Sequence, residues 1–155
     1  MRKGRVVYIG GQVGAGKTHI CTAIANRLLL QGKGVRYMIW TEEATKLKAL
    51  KTDDETMHAN QPMENGRGAV YRRFSENQKR RTADRWGHQS CVEIINARYN
   101  NRALRTIFSG ERGLNEIMEL DEAMGSRIYQ RCGKYKLKIG WGEGRNYRTR
   151  EEGVV

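Results

Sequence analysis

Eight residues near the start of the chain carry its most legible chemistry. Gly11-Gln12-Val13-Gly14-Ala15-Gly16-Lys17-Thr18 fits the pattern G-x-x-x-x-G-K-[ST]. In that pattern a glycine-rich turn wraps its backbone N–H groups around phosphate. Glycine lacks a Cβ, so the backbone can approach an anion closely and can take positive φ. The spacing assigns Lys17 to the β- and γ-phosphates of a nucleoside triphosphate and the Thr18 hydroxyl to Mg²⁺. A helix starting near Gly16 adds the positive end of its dipole. The expected nucleotide-binding set is Gly11, Gly14, Ala15, Gly16, Lys17, Thr18 and His19, with Thr18 as the metal ligand.

Such a loop works only between a strand and a helix, and the flanking residues supply both. Residues 6–9, Val-Val-Tyr-Ile, read as a buried strand. Residues 18–30 read as a helix with Ile20, Ala23, Ile24, Leu28 and the stem of Arg27 on its inward stripe, stopped by Gly32 and Gly34. Residues 35–39 read as a second strand, and Thr41 as the N-cap of a helix over 42–50. From 51 to 90 the chain is polar and without period, and Ala69-Val70-Tyr71 is the only strand-like run. Order returns as a helix over 92–99, a strand over 104–108 and helices over 114–120 and 122–131. An alternating strand over 134–139 and an edge strand over 145–150 complete the reading. Strands and helices alternating after a phosphate loop predict one α/β domain, a three-layer αβα parallel sheet.

Composition sets the class of partner. The chain has 155 residues, 38% of them hydrophobic and 30% charged, which suits one soluble domain with a core of its own. No apolar run reaches the length of a membrane span. Cys21, Cys91 and Cys132 are odd in number and widely spaced, which fits free thiols in the cytoplasm. A net charge of +12 points to an anionic partner, nucleic acid first. Much of that excess lies in Arg67, Arg72, Arg73, Lys79, Arg80, Arg81 and Arg85.

Three segments together resemble a known family. The stretch from Tyr8 to Ile20, the run Ile95-Asn-Ala-Arg-Tyr-Asn-Asn-Arg102 and the segment from Leu114 to Ile128 are similar to replicative-helicase loaders of the DnaC/DnaI type. These are AAA+ P-loop ATPases from bacteria and phages, with transposition helpers of the IstB type as relatives. The resemblance implies catalytic roles for Lys17, for Ser109 as the sensor-1 polar residue, and for Arg127 in a Gly-Ser-Arg box as an arginine finger given to a neighbour's ATP. Read from the residues alone, Ser109 is equally a strand-end hydroxyl and Arg127 a solvated helix arginine. The resemblance further implies a DnaB-type helicase, single-stranded DNA and homo-oligomeric neighbours as partners, with no membrane. The N-terminal segment by which loaders grip the helicase is expected to be absent or to lie elsewhere.

One departure stands out. The family's third strand should end in acids that hold Mg²⁺ and orient water, yet no apolar run followed by acids occurs. Displacing degenerate codons for residues 68–74 by one nucleotide can spell Val-Leu-Tyr-Ile-Asp-Asp-Phe, the run the family would place there. The same displacement extends over about residues 57–92, which marks that segment as irregular and out of frame, the alternative being a divergent basic insertion. The third-strand region is therefore expected to be disrupted and hydrolysis impaired. A transposition helper acting on duplex DNA is a second reading. A third is a basic nucleic-acid-binding module with a vestigial nucleotide site. For the third, Lys134, Lys136 and Lys138 with Tyr135, Trp141 and Tyr147 form a basic, aromatic face. The same residues also suit a guarded sheet edge with its aromatics packed in the core.

Overall fold

The computed structural model describes residues 6–39, 42, 46, 54–55, 58, 68–72 and 85–149. Five strands and four numbered helices follow one another: β1 (Val6–Gly11), α1 (Lys17–Leu29), β2 (Arg36–Ile39), β3 (Gly68–Arg72), α2 (Arg85–Asn100), β4 (Arg105–Gly110), α3 (Leu114–Leu120), α4 (Glu122–Cys132) and β5 (Lys136–Ile139). Residues 42, 46, 54, 55 and 58 are also helical, while Thr41, the expected cap, lies outside the described residues.

The strands form one parallel sheet in the order β2-β3-β4-β1-β5. From β1 the chain crosses to the far edge, then returns through β3 and β4. Right-handed crossovers in opposite directions put their helices on opposite faces. Two cores follow from the two-residue alternation of the strands. Val6, Tyr8 and Phe108 face α2, α3 and α4, where Cys91, Ile94, Ile95, Ile117, Met124 and Ile128 bury them. Ile9 and Ile107 face α1, where Cys21 and Ala25 meet them and Ile20 and Ile24 pack at the margin. The inward stripe of α1 therefore runs through Cys21 and Ala25, whereas Ala23 and Arg27, expected inside, are exposed.

The third strand is present, which corrects the expectation of a disrupted third-strand region. β3 pairs with β2 on one side (Arg36↔Ala69 to Ile39↔Arg72) and with β4 on the other (Gly68↔Arg105 to Arg72↔Ser109). Sheet pairing is made by backbone N–H and C=O groups, which every residue but proline supplies, and Val70 and Tyr71 favour extended backbone. Order also resumes earlier than expected, with α2 beginning at Arg85. The expected strand over 145–150 does not form: residues 141–149 run as turns and irregular backbone, and Arg150 lies outside the described residues. Asn146 explains this. Its side-chain oxygen accepts the Arg148 N–H at 3.1 Å and its carbonyl accepts the Thr149 N–H at 3.1 Å. These local bonds replace a ladder.

Between the layers, Arg98 of α2 is 2% exposed and donates to Thr106 Oγ1 at 2.7 Å and to the Arg105 carbonyl at 2.8 Å, stapling α2 to β4. The three cysteines are buried thiols outside any disulfide, and burial pushes the Cys132 thiol up to about 12. No helix among the described residues is long and apolar enough to cross a membrane.

The joint between α3 and α4 is a single residue. Asp121 ends α3, and its carboxylate accepts the Met124 N–H at 2.9 Å as the N-cap of α4. The helices then fold back closely: a Cβ on Gly125 would lie 2.7 Å from Met118 Cα and 2.8 Å from Met118 N. Because backbone is what it would strike, Gly125→Ala should destabilise the domain by roughly 1–3 kcal/mol. Thermal or urea unfolding measures this, and an unchanged midpoint would mean that the α3–α4 contact yields.

Candidate functional site

The carboxyl ends of β1 and β4 lie side by side, with Ile9 beside Ser109 and Gly10 beside Gly110, and open onto a cleft of about 290 Å³. Ligands of open parallel sheets bind at such strand ends. Gly14 and Gly16 on its floor take φ of 75° and 82°, left-handed values that a side chain would strain. Gly16 is the N-cap of α1 and supplies no side-chain cap. A helix cannot satisfy its own first amides, so an uncapped start serves as a donor set for an anion. Lys17 Nζ donates to the carbonyls of Gly11 and Gln12, both at 2.7 Å, and these hold its ammonium over the loop.

Of the residues expected to bind nucleotide, Gly14, Ala15, Gly16, Lys17, Thr18 and His19 all line the cleft. Gly11 does not. A Cβ there would meet Ile139 Cβ and O, both at 2.8 Å, so this glycine lets β5 close on the end of β1. Ser109 is 1% exposed and also lines the cleft. Arg127 lies elsewhere, in a groove with Tyr99, Glu122, Ser126 and Gln130, and its Nη1 donates to the Ala123 carbonyl of its own helix at 2.7 Å.

Five residues that line the cleft were not assigned to it from sequence: Val13, Gly110, Glu111, Tyr147 and Arg148. Glu111 follows β4 by one residue, so a strand-end rule applied after Ser109 would have reached it. Its loop is held by Tyr8, whose hydroxyl donates to the Arg112 carbonyl at 2.8 Å, and by Gly10, where a Cβ would come within 2.6 Å of the same oxygen. Tyr147 and Arg148 sit over a hundred positions from the loop, and no local signal joins them to it.

The basic, aromatic face divides. β5 is an edge strand, and Lys136 and Lys138 are exposed on it, as an edge guard would be. Lys136 Nζ lies 3.4 Å from the centroid of the Tyr129 ring. Trp141 and Tyr147 are 67% and 65% exposed, which corrects the expectation that these aromatics pack the core.

No family model matches the chain. Over 136 residues it is 33% identical to the uncharacterized protein YqaM of Bacillus subtilis (strain 168), covering 83% of this chain and 41% of that protein. Over 142 residues it is 32% identical to the phage-like element PBSX protein XkdC of the same strain, covering 89% and 51%. The chain thus spans about half the length, or less, of these relatives. Among solved structures, DnaI superposes with a TM-score of 0.71 at 18% identity, over 93% of this chain and 74% of DnaI. The DnaC helicase loader gives 0.68 at 20% identity, over 89% and 80%.

The chain has a DnaC/DnaI-like AAA+ fold.

The replication initiator DnaA, solved with AMPPCP and single-stranded DNA, shares it, with a TM-score of 0.68 at 18% identity over 89% of this chain and 41% of DnaA. Within this fold the end of β3 is the place where the loader resemblance puts its acids. Arg72 stands there, in Cα register with Ser109, and Arg73 follows in the sequence.

Gly14 carries two demands at once. Its φ is positive, and a Cβ would overlap the Asn146 side chain and lie 3.2 Å from Asn146 Cα. Gly14→Ala should therefore free the segment 142–149 from the loop. Amide hydrogen exchange at Tyr147, whose N–H donates to the Gly14 carbonyl at 3.2 Å, should rise at least tenfold. Unchanged protection would show that the loop absorbs the methyl group.

Proposed function

We propose that this domain binds Mg-ATP in the cleft and works in DNA replication as a helicase-loader-like protein. On this reading it acts in the cytoplasm on single-stranded DNA, with a DnaB-type helicase and copies of itself as partners. The observation that carries the reading is Lys17, held by two loop carbonyls at the uncapped start of α1 with Ser109 beside it. The residues fit the ligand. Left-handed glycines, a cation and helix-end amides suit a polyphosphate, and the Thr18 hydroxyl with the Glu111 carboxylate suits a hard divalent cation. Bound magnesium supplies charge neutralisation across the phosphates.

Each residue has a distinct task here. Lys17 neutralises phosphate charge, and Ser109 contacts the terminal phosphate from the end of β4. Arg127 lies outside its own chain's cleft, which supports its use in trans, where a guanidinium would offset charge on a neighbour's phosphoryl group. DnaC and DnaA among the structural neighbours support the replication setting. Hydrolysis is weak on this reading, because arginine stands where water-orienting acid is expected. Among the described residues, Glu111 is the only acid that lines the cleft.

Fluorescent ATP titrated with Mg²⁺ should bind the wild-type domain and bind Lys17→Ala at least tenfold more weakly, with turnover near background in both. Saturable DNA binding indifferent to ATP and to Lys17→Ala would instead favour the basic-module reading.

We further attribute the arginines at the end of β3 to a displaced reading frame over about residues 57–92. The gene sequence across codons 56–93 is expected to spell Tyr-Ile-Asp-Asp in the shifted frame, and restoring that frame should raise ATP turnover. Stop codons or unrelated residues in the shifted frame would make the basic segment native.

A further inference from the structure

Among the described residues, β5 ends the sheet, and no strand lies on its outer edge. The Tyr8 N–H donates to the Tyr135 carbonyl at 3.1 Å, which sets the phase of the ladder between β1 and β5. Backbone groups of alternate residues point to opposite sides of a strand. Leu137 therefore turns its N–H and C=O to β1, while Lys136 and Lys138 turn theirs outward. The side chains divide across the two faces. Lys136 is in register with Tyr8, on the side of α3 and α4, and its Nζ stands over the Tyr129 ring. Lys138 lies on the same side, where a Cβ on Gly113 would be 4.0 Å from its Cε. Both lysines border a hollow of about 210 Å³, walled by Tyr8, Leu114, Glu116 and Tyr129. Among the described residues Glu116 is the only acid in that wall, and its carboxylate accepts the Gly113 N–H at 3.2 Å. Leu137 sits on the opposite face, in register with Ile9, and is 44% exposed.

An edge of this kind is selective about its partner. Exposed lysines keep neutral and basic strands away, because pairing would set an ammonium against an apolar or like-charged neighbour. An acidic strand meets no such obstacle. We propose that the outer edge of β5 takes an extended segment of a protein partner in which acidic residues alternate with apolar ones. Its backbone pairs with the outward groups of Lys136 and Lys138 and extends the sheet by one strand. Two acids, two positions apart, stand beside Lys136 and Lys138 at the hollow. The apolar residue between them falls on the other face and covers Leu137. Nucleic acid fits the edge less well: its phosphates would meet the lysines but leave the outward amides and Leu137 unused. None of the residues that wall the hollow lines the cleft at the end of β1, so the proposal does not depend on what the cleft binds.

The probe is a fluorescein-labelled synthetic peptide, Ser-Glu-Val-Glu-Val-Glu-Ser. One control has the same composition with its acids adjacent, and another has lysine in place of glutamate. Wild type is expected to bind the alternating peptide saturably, about fivefold more tightly than the adjacent-acid control. The double variant Lys136→Glu with Lys138→Glu changes only exposed side chains, and circular dichroism checks that it folds. It should bind the acidic peptide about tenfold more weakly and gain affinity for the lysine peptide. Bound peptide should slow hydrogen exchange at the Lys136 and Lys138 amides and leave that of Leu137, already turned to β1, unchanged. No saturable binding up to millimolar peptide, or equal affinity in the double variant, overturns the proposal. If an oligothymidine binds through these lysines and the peptide does not, the edge serves nucleic acid and the proposal falls as well.

Discussion

The end of β1 is a place where backbone must touch backbone on both sides, and the rest of the molecule is arranged around that constraint. Gly10 admits the Arg112 carbonyl from the β4 side, and Gly11 admits Ile139 from the β5 side. A side chain at either position would wedge the sheet open at the point where the cleft forms. With both glycines in place, the loop after β1 emerges between the loop after β4 and the segment after β5. Residues 13–19, Ser109, Glu111 and Arg148 then line one space of about 290 Å³. Glycine at this strand end thus serves packing and ligand access separately: Gly10 and Gly11 the first, Gly16 the second, and Gly14 both.

The two faces of the sheet divide the remaining work. The α1 side is small, with Ile9 and Ile107 covered by Cys21 and Ala25, and small residues bring the helix close to the strands it starts from. That closeness fixes where the amide end of α1 sits. The other side is larger and carries α2, α3 and α4 on Tyr8, Phe108 and their neighbours. Tyr8 links the two functions directly, burying its ring in that core while its hydroxyl holds the loop that carries Glu111.

Most of the fold was legible because its signals are local. The phosphate loop announces its strand and helix, and the alternation in Lys136–Ile139 and the helical spacing around Ile94, Ile117 and Ile128 survive in the bare sequence. What could not be read depends on contacts across the chain. The hold of Gly142 and Tyr147 on Gln12 and Gly14 spans more than 125 positions, and residues 145–150 read locally as an edge strand. β3 failed for another reason. Its neighbours supply the ladder through backbone atoms, so a segment whose letters argue against a buried strand can still be seated between two others. Burial was misjudged on α1, where Ala23 is as apolar as Ala25 and only the phase of the helix tells them apart.

Asp121 has a mechanical meaning beyond its cap. From Ser109 the chain passes through a short turn, the seven residues of α3, one residue of joint and then α4. The Gly125–Met118 contact locks the two helices against each other. No slack loop intervenes anywhere between the cleft and Arg127. Any shift at the carboxyl end of β4 would therefore meet α3 and α4 as one packed piece, whose far arm carries the Arg127 guanidinium.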